Sequence, residues 1–311
     1  MNKGNQSLLV ISVLIILLVF ISLACSVDTG NGNNQNLAAT QEALQQTQVA
    51  LSVEQTLAAA GQGNPVPSAE ATGNVTVAPP TPETTVSNLC DGKITVNYEG
   101  VSFCYAPLIA SSTNNTIEPA DLGEMSLSPQ HVQFEFIGYA ISPTFHTPVI
   151  HIYPIADYEA IDPYVAARVT ELQNLLASKP DHADGIPFLP HWNAGQMLVS
   201  KVDYVSFSNG EGIRFLTQYG QSYWPINNED LFYTFQGITD DNQYYVSAVL
   251  PISHPDLPAN GEAYPGDIND LANTYDSYIE NIRILLYSKD DNSFNPSITT
   301  LDELMSSFTI N

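Results

Sequence analysis

From residue 89 onward the sequence predicts an α+β fold: an antiparallel β-sheet of about six to eight strands covered by two main helices. Three observations lead there. Short segments alternate apolar and polar residues and are separated by turn-forming pairs, the pattern of half-buried strands joined in hairpins. Four such segments follow one another between 196 and 250 with no helical stretch among them. Two longer stretches instead repeat their apolar residues every three or four positions, as a helix with one buried face does. Strands in a run, with helices outside the run, give separate sheet and helix layers rather than alternating βαβ units.

Taken in order, Ile94-Thr95-Val96-Asn97-Tyr98 alternates, Glu99-Gly100 is a turn pair, and Val101-Ser102-Phe103-Cys104-Tyr105 alternates again, which predicts a hairpin. In that register Cys104 faces Thr95. Segments 132–137 and 149–153 read as strands. From 158 to 176, Tyr158, Ile161, Val165, Val169, Leu172 and Leu176 line one face of a predicted helix, with Pro163 in its first turn. Strands at about 196–206, 212–219, 230–237 and 243–250 then predict a meander. Its turns fall at Asn209-Gly210, at 225–228 and at Asp240-Asp241-Asn242. A second helix carries Ile268, Leu271, Tyr275, Ile279, Ile282 and Leu286 on one face. A short third helix starts near Thr300, with Asp302 and Glu303 favourable in its first turn. This order, with the closing Leu301-Asp302-Glu303-Leu304 and Ser307-Phe308, resembles the PsbP/Mog1-type fold. The resemblance implies a layered architecture that serves mostly in binding or assembly. It names no activity, since fold does not fix function.

The first 88 residues are of a different kind. Lys3 precedes an uncharged apolar run over 8–24 that ends Ile21-Ser22-Leu23-Ala24-Cys25. A positive start, an apolar stretch and a small residue at the break describe a secretory signal. The cysteine directly after Ala24 resembles the lipobox of bacterial lipoproteins, although Ser22 stands where that family usually has Leu. The resemblance implies cleavage before Cys25 and attachment of diacylglycerol to its thiol. The other reading of 1–25 is an uncleaved spanning helix, for which the run is just long enough. Both readings place the remainder outside the cell membrane, as the positive-inside rule does with Lys3 retained. Residues 26–88 read as a low-complexity stalk. A short helical repeat covers 37–60, where Leu37, Leu44 and Leu51 fall seven apart. Similar repeats follow the anchor in some predicted surface lipoproteins. A Pro/Thr-rich linker follows, from which no core can be built.

The 311 residues carry a net charge of −25, with only 8 Lys and Arg and a charged fraction of 13%, against roughly 25% in typical soluble chains. The missing basic residues exclude a nucleic-acid footprint and disfavour anionic lipid. Acidity serves solubility and repulsion from a like-charged surface. Besides Cys25, Cys90 and Cys104 form an even pair in an oxidising compartment, so a disulfide is expected. It requires the chain to bend back at Asp91-Gly92.

No motif for catalysis or metal binding emerges. His146 and His151 are five apart, which puts them on opposite faces of a strand and argues against shared ligation. Asp181-His182-Ala183-Asp184 and His191 lie in a Pro-rich loop and read as solvent-exposed. Asp240-Asp241-Asn242 and Asp290-Asp291-Asn292 lack the alternating ligands of a calcium loop and read as turns. A Gly-x-Ser-x-Gly elbow and a phosphate-cradling Gly loop are both missing, and nothing singles out a carboxylate pair among 33 acids. The candidate binding surface is therefore aromatic: Phe188, His191 and Trp192 in one loop, and Tyr223 and Trp224 in another. Such aromatics either line a groove or plug the ends of the sheet. The expected function is ligand or partner binding without catalysis, with no cofactor and no metal. The membrane is the expected partner through the N-terminus, with an envelope protein or small ligand at the domain. An extracytoplasmic hydrolase and a purely structural envelope protein are the alternatives.

Overall fold

The computed structural model describes residues 89–123, 126–180 and 185–311. The signal segment with Cys25, the stalk and the 181–184 stretch lie outside the described residues. In chain order the strands begin with β1 (Ile94–Tyr98), β2 (Val101–Tyr105), β3 (Ser112–Glu118), β4 (Asp121–Gly123), β5 (Ser126–Ser128), β6 (His131–Ile137) and β7 (Val149–Pro154). Helices α1 (Ile155–Ile161) and α2 (Val165–Ser178) follow. Then come β8 (Gly195–Gln196), β9 (Ser200–Phe207), β10 (Gly210–Thr217), β11 (Tyr219–Gly220), β12 (Phe232–Thr239) and β13 (Tyr244–Pro251). Helices α3 (Ile268–Tyr287) and α4 (Ile298–Ser306) and strand β14 (Thr309–Ile310) close the chain.

Seven strands form one antiparallel sheet in the order β3-β6-β7-β13-β12-β10-β9. The predicted meander is its larger half. Strands β12 and β13 are buried along almost their whole length, so their residues alternate between two cores rather than between core and water. On one face Phe134, Ile152, Phe235 and Val246 pack with Leu286 of α3 and Leu301 and Met305 of α4. On the other face Ile213, Phe215, Ile238 and Tyr245 meet Tyr158 of α1 and Val165, Val169 and Leu172 of α2. Each such side chain, fully buried, stabilises the fold by roughly 1.5–3 kcal/mol. The fold class is the expected one, an α+β sandwich with helices on both faces of the sheet.

The first hairpin has the expected register, with Tyr98 opposite Val101 and Thr95 opposite Cys104. Glu99 and Gly100 both take positive φ, 48° and 78°, the requirement of a tight type I′ turn. With β14 the hairpin forms a separate three-stranded sheet. Cys90 and Cys104 are disulfide-bonded, with their Cα atoms 5.6 Å apart. The chain reaches this position by turning at Gly92, whose φ is 72°, while Lys93 N donates to Cys90 O at 3.2 Å.

The structure departs from the sequence reading in three places. Residues 158–176 are not one helix. Asp162 is extended, at φ −127° and ψ 109°, and ends α1 with its N–H on Tyr158 O. Pro163 is the cause, because a proline disfavours helical backbone in the residue before it. The β9–β10 turn is Ser208-Asn209, and Gly210 already pairs with Phe207. A Cβ on Gly210 would lie 2.2 Å from the Phe207 ring and 2.5 Å from Ile238 O, so glycine is needed there for close approach. The Asn209 side chain instead holds β14, accepting from Ile310 N at 3.1 Å. Finally, β3 forms a sheet edge from Ser-Thr-Asn-Asn-Thr-Ile-Glu, a segment without the expected alternation.

Candidate functional site

The candidate aromatic residues divide between two clusters. Phe188 is buried. Its ring lies 4.7 Å from Trp192, 4.8 Å from Tyr219 and 6.1 Å from Phe232. His146 stacks on Trp192 at 5.0 Å with the planes 9° apart. Burial pushes the His146 pKa down to about 4, and its Nε2 has no hydrogen-bond partner among the described residues. Phe145 beside it is 74% exposed, and His191 is exposed.

Polar residues of the central strands hold this loop down. Leu189 N donates to Gln236 Oε1 at 3.0 Å, and Ser247 Oγ donates to Leu189 O at 2.5 Å. Gln236 Oε1 also accepts from Tyr245 OH at 2.7 Å, while its Nε2 donates to Thr234 Oγ1 and Ser247 Oγ at 2.9 and 3.1 Å. Gln236 and Ser247 are fully buried, and a buried polar group left unsatisfied costs about 1–3 kcal/mol. The 186–192 loop is therefore a plug on the sheet at Phe188, with Trp192 half-exposed at its rim.

The second cluster is more open. Tyr223, 59% exposed, lies 4.9 Å from the Tyr275 ring. Tyr278 is 6.0 Å from Tyr275 and 5.6 Å from Tyr264. Tyr275 OH donates to Trp224 O at 3.1 Å, and Tyr278 OH accepts from Ile226 N at 2.9 Å. These hydroxyls fix the rings to the backbone, and both residues are partly exposed. Gly261 permits the close seat of Trp224, since a Cβ there would fall 2.2 Å from the indole.

A cleft of about 420 Å³ is lined by none of these rings, but two of its wall residues, Glu229 and Asn260, are tied to segments that carry them. Its walls are the 140–143 loop, Asn228 and Glu229, and Ser253, Ala259 and Asn260. On one side, Phe145 N donates to Glu229 O at 2.8 Å. On the other, Asn260 caps the turn that brings Gly261 under Trp224, accepting from Ala263 N at 3.0 Å. Asn228 fixes the floor, its amide bonding His254 O, Leu257 O and His254 N. A smaller cleft of about 200 Å³ has a mixed lining, with Val101, Ile117, Val132 and Ile152 beside Glu99, Gln130, His131 and Asn311.

None of the perturbed histidines lines the larger cleft, but His131 lines the smaller one. His131 Nε2 is 3.0 Å from His151 Nδ1, and His131 Nδ1 is 2.8 Å from Pro129 O. A carbonyl only accepts, so His131 carries its proton on Nδ1 when neutral, and His151 Nδ1 then donates to it. Burial, with the neighbouring His131 second, pushes His151 down to about 3. Burial also lowers His131. The pair is neutral at physiological pH. The pairing of His151 with His131 is a contact sequence spacing missed; only the β6–β7 register reveals it. Among the described residues no group of three or more His, Cys, Asp or Glu could hold a metal ion.

No protein-family model matches the chain, and no curated protein is matched by it. Geometry alone defines the class: an α+β sandwich with a polar cleft and two aromatic clusters.

Proposed function

We propose that the chain is a membrane-tethered extracytoplasmic module that binds a ligand without transforming it. The tether is the lipid expected on Cys25. One observation supports binding over catalysis more than any other. The cleft is lined by hydroxyl, amide and carboxylate groups and by no histidine, while burial lowers the pKa of His146 to about 4 and of His151 to about 3. General acid–base work needs a pKa near the operating pH, and about 3 and about 4 are far below it.

Two measurements test the parts of this reading. Full-length protein in detergent, incubated with an envelope-derived ligand mixture and separated from it, should return every retained ligand at unchanged mass. A retained compound that comes back cleaved would make the protein an enzyme. For the tether, Cys25→Ser should abolish incorporation of a clickable fatty acid and leave the precursor uncut. Wild-type protein that takes up no label would identify 8–24 as a plain spanning helix.

A further inference from the structure

We infer that the cleft lined by Ser142, Glu229 and Asn260 is a site for a neutral, hydroxyl-rich ligand, that is, a carbohydrate; this rests on the binding reading above. Three features of the site select this chemistry.

The first is charge. Every Lys and Arg after residue 88 is already ion-paired: Lys93 with Glu303, Arg168 with Glu171, Lys179 with Glu211, Lys201 and Arg214 with Asp291, Arg283 with Glu280, and Lys289 with Asp256. None of them lines the cleft. An anionic ligand would lose its hydration and meet no counter-charge, which is costly.

The second is the set of groups on offer. Asn228 is spent on the backbone. Ser142, exposed at the rim, brings a hydroxyl that both donates and accepts. Glu229 brings a carboxylate with no hydrogen bond or ion pair to any described residue, and the Asn260 amide nitrogen remains after its oxygen has capped Ala263. Donor, acceptor and amphoteric groups around one space match a ligand whose hydroxyls do both.

The third is the aromatic border. The turn that contributes Asn260 to the cleft passes straight to Gly261 against the Trp224 indole, and the neighbouring Tyr223 ring lies 4.9 Å from Tyr275. Sugar rings carry apolar C–H faces beside their hydroxyls, and aromatic rings one residue beyond the Asn260 wall of a polar cleft complement both. The volume lies within the roughly 300–1,000 Å³ of small-molecule sites.

The test is an immobilised array of neutral, cationic and anionic oligosaccharides probed with the full chain in detergent. Two variants accompany it, Tyr223→Ala and Glu229→Gln, each checked for an unchanged melting curve. Neutral oligosaccharides should be retained, equally in low salt and in 0.5 M salt used as about a Debye-screening control. Each variant should weaken retention about tenfold. Retention of charged glycans alone, abolished by salt, overturns the inference. So does neutral-glycan retention that neither variant alters. If the array retains nothing, but a native envelope extract still slows hydrogen exchange at the cleft amides, the carbohydrate assignment falls and the binding reading stands. If neither occurs, both fall.

Discussion

Arg214→Ala is expected to destabilise the domain by about 3–5 kcal/mol, the cost of removing one partner from a buried ion network. The Arg214 side chain is 5% exposed and sits 3.2 Å from Asp291, 3.4 Å from Asp203 and 3.3 Å from Asp302. Its Nη1 also donates to Lys201 O. Lys201 in turn pairs with Asp291 at 2.7 Å, and Tyr233 OH donates to Asp302 at 2.9 Å. Without the guanidinium, Asp302 keeps only the tyrosine, with other carboxylates close by. Denaturant unfolding at neutral pH measures the loss. Asp203→Asn is the control and should cost under about 1 kcal/mol, because Asp203 is 62% exposed and screened by water.

The same network gives the domain a pH dependence. Burial raises Asp302 from its ordinary 3.8 to about 6, with Arg214 and the Tyr233 hydroxyl opposing the rise. The folded state thus keeps a proton that the unfolded chain gives up at lower pH. Asp302 favours folding below its unfolded pKa, and that contribution is lost as pH rises to about 6. The denaturation midpoint should fall across this window in the wild type, and Asp302→Asn should flatten the slope.

Reduction of the Cys90–Cys104 disulfide is expected to cost about 3 kcal/mol, from the freed loop of the unfolded chain. The effect should be graded along the hairpin. Cys104 is fully buried, and Ser307 holds its backbone independently: Cys104 N donates to Ser307 Oγ at 2.9 Å, and Ser307 Oγ lies 3.0 Å from Cys104 O. Strand β2 therefore keeps its place on α4, while 89–95 loosens. Melting with and without reductant gives the magnitude, and a Cys90→Ala, Cys104→Ala double variant should reproduce it. A loss below about 1 kcal/mol would contradict the loop-closure account.

Much of this architecture was legible in the sequence where periodicity was strong. The hairpin, the meander strands and the long helix follow from two-residue and three-to-four-residue apolar spacing, because burying one face leaves that imprint. The break at Pro163 was legible in principle, since the constraint falls on Asp162 and not on the proline itself. Edge strand β3 was not, because a strand with little to bury shows little alternation. The ion network was hidden for the opposite reason. Arg214 and Lys201 look like surface residues until tertiary packing brings Asp291 and Asp302 to them. Asp290-Asp291-Asn292 reads as a turn and opens a single 3-10 turn over Asp291–Ser293 that Asp290 caps, but Asp291 also closes that network. At the site, Trp192 and Tyr223 were visible as loop aromatics. Their separation into a sheet plug and an open shelf depends on Gln236 and Ser247, polar residues in strands that read only as core. Tyr275 appeared as a core position of its helix and proves to be half-exposed, completing the shelf.

Backbone hydrogen exchange of the full chain, with and without the neutral oligosaccharides it retains, locates binding directly. Slowed exchange at 140–143, at 228–229 and across 253–264 is the predicted result. Slowing confined to 186–192, or to the sheet around His131 and His151, would contradict it.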